Sequence, residues 1–237
     1  MIEKVLPEAV ASAEAFDDPP EAVLYPGEAE VISRAVDKRR REFRTVRHCA
    51  RQALRQLGLP PAPVLPGERG APQWPPGVVG SMTHCGGYRA AAVAHNRDLR
   101  TLGIDAEPHE PLPAGVLDVI SGEQEQDNLS ELAAADGTTC WDRLLFCAKE
   151  AVYKAWFPLT HRWLGFTDAA VTLHPGTITP AEGTFSARLL VTAPTITGEP
   201  LTRLEGRWVR GDGLVITTIA LLPSGRMELD RQDSGRR

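Results

Sequence analysis

Residues 141–157 read WDRLLFCAKEAVYKAWF, and their spacing decides how the rest of the chain is organised. At helical spacing, Leu144, Ala148, Ala151, Val152, Ala155 and Trp156 fall on one apolar stripe. Lys149, Glu150, Tyr153 and Lys154 recur three and four residues apart on the other side. The pattern predicts a helix with one core face and one chemical face. Taken alone, Glu150 and Lys154 equally suit a solvated i,i+4 pair worth about 0.2–0.5 kcal/mol.

Working outward, a second helical pattern covers residues 28–57, with Phe43, Val46, Ala50, Ala53, Leu54 and Leu57 on one side and Gly58 and Pro60 as stop signals. Within residues 37–55, Lys38, Arg39, Arg40, Arg41, Arg44, Arg47, Arg51 and Arg55 stand against Asp37 and Glu42 alone, in a chain of formal charge −5. A duplex binder carries a basic domain as a whole, so a small polyanion suits this helix better than nucleic acid. Cys49-Ala50-Arg51-Gln52-Ala53-Leu54 also aligns with Cys147-Ala148-Lys149-Glu150-Ala151-Val152, 98 residues later. The chain reads as two related halves, residues 1–113 and 114–237, each a helix on a small, mostly antiparallel sheet. That is an α+β fold with a pseudo-twofold, and one active site at the junction. Gln52 stands where the second half has Glu150, so only one half holds the carboxylate.

Residues 60–76 hold seven of the 20 prolines and read as an ordered, extended loop that delivers Arg69 and Trp74 to a fixed place. Residues 78–95 read as strand, Gly-Gly turn and strand, with Ser81, Thr83 and His84 near the turn; a lone His there is also what a plain surface residue looks like. In the strand 99–107, alternation turns Asp105 and Glu107 to one side, about 7 Å apart. Like charges so placed repel unless a cation or proton sits between them, and the alternative is a polar outward face. Oxygen ligands alone suit Mg²⁺ better than zinc, for which His48-Cys49 and His84-Cys85 lack the spacing.

Residues 1–27, acidic and broken by Pro7, Pro19, Pro20 and Pro26, predict an entry segment with little structure of its own. Residues 109–140 read as a linker between the halves, and 163–174, 185–193, 204–210 and 214–222 as strands before a frayed tail at 224–237. The 237 residues are 42% hydrophobic and 24% charged, an ordinary globular composition. No apolar run is long enough to span a membrane. Four cysteines without a CxxC pair, and no export signal, place the expected compartment in the cytosol.

GIDAE at 103–107, followed 39 residues later by FCAKEAVYK at 146–154, resembles the paired signature of the Sfp-type phosphopantetheinyl transferases, GxDxE and [FW]xxKExxxK. The resemblance extends to the basic helix, to SMTHC at 81–85 and to WFPLTHRWLGF at 156–166, and it is closest to the broad-acting actinobacterial, EntD-like members. It implies a cytoplasmic, monomeric enzyme that moves the phosphopantetheine arm of coenzyme A to a serine of an apo acyl or peptidyl carrier protein. The arm's departure leaves 3′,5′-ADP. It further implies that Asp105, Glu107 and Glu150 hold Mg²⁺, with Mn²⁺ as the alternative ion, and that Glu150 is also the base. Lys149 and Lys154 match the lysines of the pyrophosphate and transition state. Arg39, Arg47, Arg69 and His84 match positions that grip coenzyme A phosphates, with Ser81, Met82 and Thr83 beside them. The chain departs from many relatives in having Thr83 for Ser, and Arg69-Gly70-Ala71-Pro72 for Gly-Lys-Pro. A Mg²⁺-dependent phosphodiesterase would need only the acidic cluster, and a nonenzymatic coenzyme A or nucleic-acid binder only the basic helix.

Overall fold

The computed structural model describes residues 1–192, 194–196 and 198–223. In chain order, strand β1 (Ala11–Ala15) precedes helices α1 (Pro26–Val31) and α2 (Asp37–Gln56), then strands β2 (Val78–Cys85), β3 (Tyr88–His95) and β4 (Thr101–Pro108). Helices α3 (Val116–Ile120), α4 (Glu123–Ala135) and α5 (Trp141–Thr160) follow. The chain then forms strands β5 (Ala169–Pro175), β6 (Glu182–Leu189), β7 (Thr195–Ile196), β8 (Glu199–Pro200), β9 (Arg203–Gly211) and β10 (Leu214–Leu221).

The sheets run β1-β3-β2 and β4-β10-β9-β6-β5, antiparallel throughout, with β7-β8 a separate short pair. The expected α+β class and the expected pairing of helix with small antiparallel sheet both hold. The repeat is visible in connectivity: β1, α2 and the β2-β3 hairpin correspond to β4, α5 and the β9-β10 hairpin. Cys49 on α2 sets its Sγ 3.8 Å from the Arg89 carbonyl on β3, and Cys147 on α5 sets its own 3.7 Å from the Val215 carbonyl on β10. The two strands occupy the same place in their sheets.

Apolar patterning fixes which face of each helix turns inward. The stripe predicted on α5 is wholly buried, and it closes on Phe185, Trp208 and Ile219 in the larger core. Trp141 meets Trp208 edge to face at 5.6 Å, a favoured aromatic geometry. On α2, Ala50, Ala53 and Leu54 pack with Trp74, whose indole N–H donates to the Gly80 carbonyl at 2.9 Å. The proline-rich loop thus does deliver Trp74 to a fixed place.

Five expectations need correction. Residues 1–27 are not bare entry: Ile2 and Val5 are buried in a 3-10 turn, and β1 pairs with β3 along its length. The pattern in ASAEA is too weak to announce a strand, because Ala and Ser fit either side of a sheet. The helix of 28–57 is interrupted at residues 32–36. Residues 109–140 form α3 and α4, the latter burying Leu129 and Leu132 in the larger core, so this stretch is no free linker. Finally, the GIDAE strand, drawn with the first half, is hydrogen-bonded to β10 in the second sheet. The strand expected at 163–174 begins only at Ala169. The expected tail at 224–237 lies outside the described residues.

Strand β4 and helix α5 meet at Gly103. A Cβ there would lie 2.2 Å from the Ala151 carbonyl oxygen and 2.8 Å from the Ala155 nitrogen, so no side chain fits without moving backbone. Gly103→Ala should cost about 1–3 kcal/mol, as overpacking does, seen as a melting temperature lower by roughly 2–12 °C. Gly86→Ala, in open space at the β2-β3 turn, should leave melting within a degree or two of the parent.

Candidate active site

Strand β4 carries Asp105 against α5. Its Oδ1 accepts from the Thr83 hydroxyl at 3.0 Å and from Lys154 Nζ at 2.6 Å, while Oδ2 is buried without any partner. A buried carboxylate oxygen left unpaired is costly, so Oδ2 marks a place for a cation or a donor. Burial opposes the charge on Lys154, but Asp105, helped by Glu150, holds its pKa above the ordinary lysine value.

Glu107, two residues along, is bound by Arg143 at 3.0 Å. Burial raises its pKa, the Asp105 charge raises it further, and Arg143 acts against both. Burial likewise raises Glu150, again with Asp105 adding and Lys154 opposing. The Asp105 charge therefore acts on both Glu107 and Glu150. Among the described residues, however, no three acidic, His or Cys side chains stand close enough to hold a metal as they are. Lys154 and Arg143 take up Asp105 and Glu107 instead. An oxygen-only donor set, mutual repulsion and the free Oδ2 of Asp105 all fit a hard divalent cation.

Beside these groups opens a cavity of about 960 Å³. Its walls bring together Arg39, Arg47, Arg69, Ser81, Met82, His84, Glu150 and Lys154, eight of the residues singled out from sequence, along with Tyr153. Arg39 and His84 touch through a guanidinium-to-imidazole hydrogen bond. Burial lowers the His84 pKa, and Arg39 lowers it further against the opposing pull of Glu42. Arg47 is buried over the Phe43 ring at 3.1 Å and donates to the Val64 carbonyl at 2.8 Å; burial brings its pKa down to about 10, Arg39 and Arg51 adding to this and Glu28 opposing it. Arg69, with φ at +52°, stands over the Trp163 ring at 5.2 Å.

Four sequence-predicted residues are not in the wall of this cavity: Asp105 and Glu107, already described, and Thr83 and Lys149. Thr83 is spent at the seam between the halves, where its hydroxyl also accepts from the Ala106 N–H at 3.1 Å. Lys149 turns away from Lys154, because five residues along a helix separate the two by about 140°. Its ammonium meets Glu125 at 2.8 Å and the carbonyls of Phe166 and Ala169 at 2.6 and 2.9 Å. The single chemical face expected of α5 is thus Glu150, Tyr153 and Lys154, with Lys149 buried to one side.

Sequence reading missed three residues of the surroundings. Arg143 binds Glu107 and the carbonyls of Glu110 and Pro111; its position four residues before Cys147 carries no motif. Trp163 is exposed and lines a smaller pocket of about 180 Å³ with Glu150, Tyr153 and Phe166. Glu125 was legible only as the third residue after Gly122, the spacing of a helix N-terminal capping box.

Residues 27–94 match the family description "4′-phosphopantetheinyl transferase N-terminal domain", and residues 101–193 match "4′-phosphopantetheinyl transferase superfamily". The 4′-phosphopantetheinyl transferase PptT of Mycobacterium tuberculosis is 53% identical over 93% of this chain and 98% of its own length. The 4′-phosphopantetheinyl transferase Svp of Streptomyces mobaraensis is 51% identical over 100% of this chain and 96% of its own. Enterobactin synthase component D of Salmonella typhimurium is 31% identical over 78% and 73%. With this cavity, these carboxylates and matches of this extent, the chain belongs to the 4′-phosphopantetheinyl transferases, enzymes that transfer the phosphopantetheine arm of coenzyme A to carrier proteins.

Proposed function

We propose that the large cavity is the coenzyme A site, that Glu150 is the base, and that the acceptors are acyl and peptidyl carrier domains. The observation that carries this reading is the continuity of one cavity from Arg39, Arg47 and His84 to Glu150 and Lys154. A donor with a 3′-phosphate at one end and a pyrophosphate in the middle needs cations at two separated places, and the lining supports both. Arg39, Arg47 and His84 take the 3′-phosphate, Arg69 covers the donor from the loop, and Ser81 and Met82 form the floor. The smaller pocket between Tyr153 and Trp163 adjoins Glu150 and is mostly apolar, which suits the arm.

Asp105, Glu107 and Glu150 would hold Mg²⁺, or Mn²⁺ in its place, with Asp105 Oδ2 the free oxygen. A bound divalent cation supplies neutralisation of the pyrophosphate charge. The chain's own groups do the rest. Glu150 accepts the proton of the carrier serine hydroxyl as its oxygen bonds to the phosphorus of the arm. The bond from that phosphorus to the departing 3′,5′-ADP breaks, and Lys154 stabilises the charge that moves with it. Lys149 is left out of this step, since its ammonium is already taken up by Glu125 and two carbonyls. No helix among the described residues is long and apolar enough to cross a membrane, and all four cysteines are free. The free cysteines suit a reducing cytoplasm, and in this reading the chain works there as a monomer and without nucleic acid.

Incubation with coenzyme A, Mg²⁺ and apo carrier proteins should add one phosphopantetheine per carrier, read by intact mass, and excess EDTA should abolish the gain. Free phosphopantetheine with unmodified carriers would identify a phosphodiesterase instead. For the 3′-phosphate, Arg39→Ala is the cleanest probe, because Arg47 also holds backbone carbonyls. Loss of a charge-assisted contact of about 1.5–3 kcal/mol should weaken coenzyme A roughly 10- to 150-fold by calorimetry and leave dephospho-coenzyme A nearly unchanged. Glu150→Gln should slow single-turnover transfer by about 10²-fold or more at saturating Mg²⁺. Recovery at high Mg²⁺ would make Glu150 a ligand only.

A further inference from the structure

The two halves share more than their strands. In the first half, Arg51 on α2 is paired in the interior with Glu28, Nη1 to Oε1 at 2.9 Å and to Oε2 at 3.0 Å. Glu28 is the third residue of α1; its Oε2 accepts the Tyr25 N–H at 2.9 Å and its Oε1 the Val64 N–H at 2.9 Å. In the second half, Lys149 is paired in the same way with Glu125, the third residue of α4. Glu125 Oε2 accepts the Gly122 N–H at 2.8 Å and Oε1 the Val171 N–H at 2.7 Å. The separations along the chain are 23 and 24 residues. Arg51 and Lys149 are the positions aligned by the CARQAL and CAKEAV repeat.

A clamp built twice, once beside Gln52 and once beside Glu150, is a property of the repeated fold and not of the reacting substrates. We propose that Lys149 is a positioning residue: with Glu125 it pins helix α5 to the turn that forms the far wall of the pocket beside Glu150. The geometry is direct. Lys149 Nζ donates to the carbonyls of Phe166 and Ala169, and both of these residues line that pocket opposite Glu150 and Tyr153. The length of the lysine therefore sets the separation of the base from the wall that supports the arm. Cutting it loosens the geometry of transfer while the groups proposed around the 3′-phosphate, on α2 and β2, stay where they are. The rate effect rests on Glu150 being the base; the binding and stability effects do not.

The test compares Lys149→Met with Glu125→Gln, a change that keeps the size of the side chain but removes its charge and leaves an acceptor oxygen for only one of the Gly122 and Val171 N–H groups. Both variants should melt lower, by roughly 6–20 °C for Lys149→Met, since removing one partner of a buried pair leaves the other unmatched. At a temperature where each is fully folded, both should bind coenzyme A within about threefold of the parent, yet transfer more slowly by about tenfold or more in single turnover. The double variant should be no worse than the worse single one, as members of one contact are not additive. Lys149→Arg, which copies the first half, should restore part of the rate. Should Lys149→Met prove too unstable to purify, Glu125→Gln and Lys149→Arg carry the same comparison. A loss of coenzyme A affinity of tenfold or more in Lys149→Met alone would overturn the proposal in favour of direct phosphate contact. Unchanged rates in both folded variants would reduce the clamp to stability alone and overturn it equally. A Glu150→Gln enzyme of full rate would refute the base assignment, while the coupled melting of the Lys149 and Glu125 variants would still stand.

Discussion

The free edge of strand β4 has to find acceptors for its backbone N–H groups, and among the described residues no neighbouring strand pairs with it there through its backbone. One edge of β4 pairs with β10, and the other meets β2, which belongs to the first sheet. The Ile104 N–H goes to the Ser81 hydroxyl and the Ala106 N–H to the Thr83 hydroxyl, each at 3.1 Å. Two side chains thus take the part a ladder would have played, and the buried donors are satisfied. Everything at the site follows from this seam. Thr83, fixed by accepting from Ala106, turns its own proton to Asp105, so the same hydroxyl that joins the halves also orients the central carboxylate.

Around Asp105 the charges alternate in a way that burial makes consequential. Two protein cations, Lys154 and Arg143, are matched against three carboxylates, and the excess is one negative charge in a half-buried space. The raised pKa values of Glu107 and Glu150 have the same physical origin, desolvation first and the Asp105 charge second. Such a group is poised to receive positive charge, whether a proton or a metal ion, and the unpartnered Oδ2 of Asp105 shows the direction from which it would come.

Much of this was legible in the chain before any coordinates. The apolar stripe of α5, the two-strand turn at 78–95 and the internal repeat come from local patterns, whereas the pairing of GIDAE with the KExxxK helix comes from the family resemblance. What was not legible depends on partners distant in sequence. Lys149 looked like part of the chemical face because i,i+4 spacing ignores what comes from outside the helix, here Glu125 and the carbonyls of Phe166 and Ala169. Strand β1 escaped notice because Ala and Ser show no contrast between faces. The place of β4 in the second sheet is decided by β10, more than a hundred residues later, and nothing within 101–108 encodes that choice.

Gln52, the first half's counterpart of Glu150, is hydrogen-bonded to His48 on its own helix at 2.9 Å. A chain that holds two copies of one scaffold is not obliged to keep them equal. Here the cavity wall takes Arg39 and Arg47 from α2, while Asp105, Glu107 and Glu150 stand on β4 and α5. On the proposed assignment, affinity for the donor and speed of the reaction are written on different helices, so selection can retune one without disturbing the other.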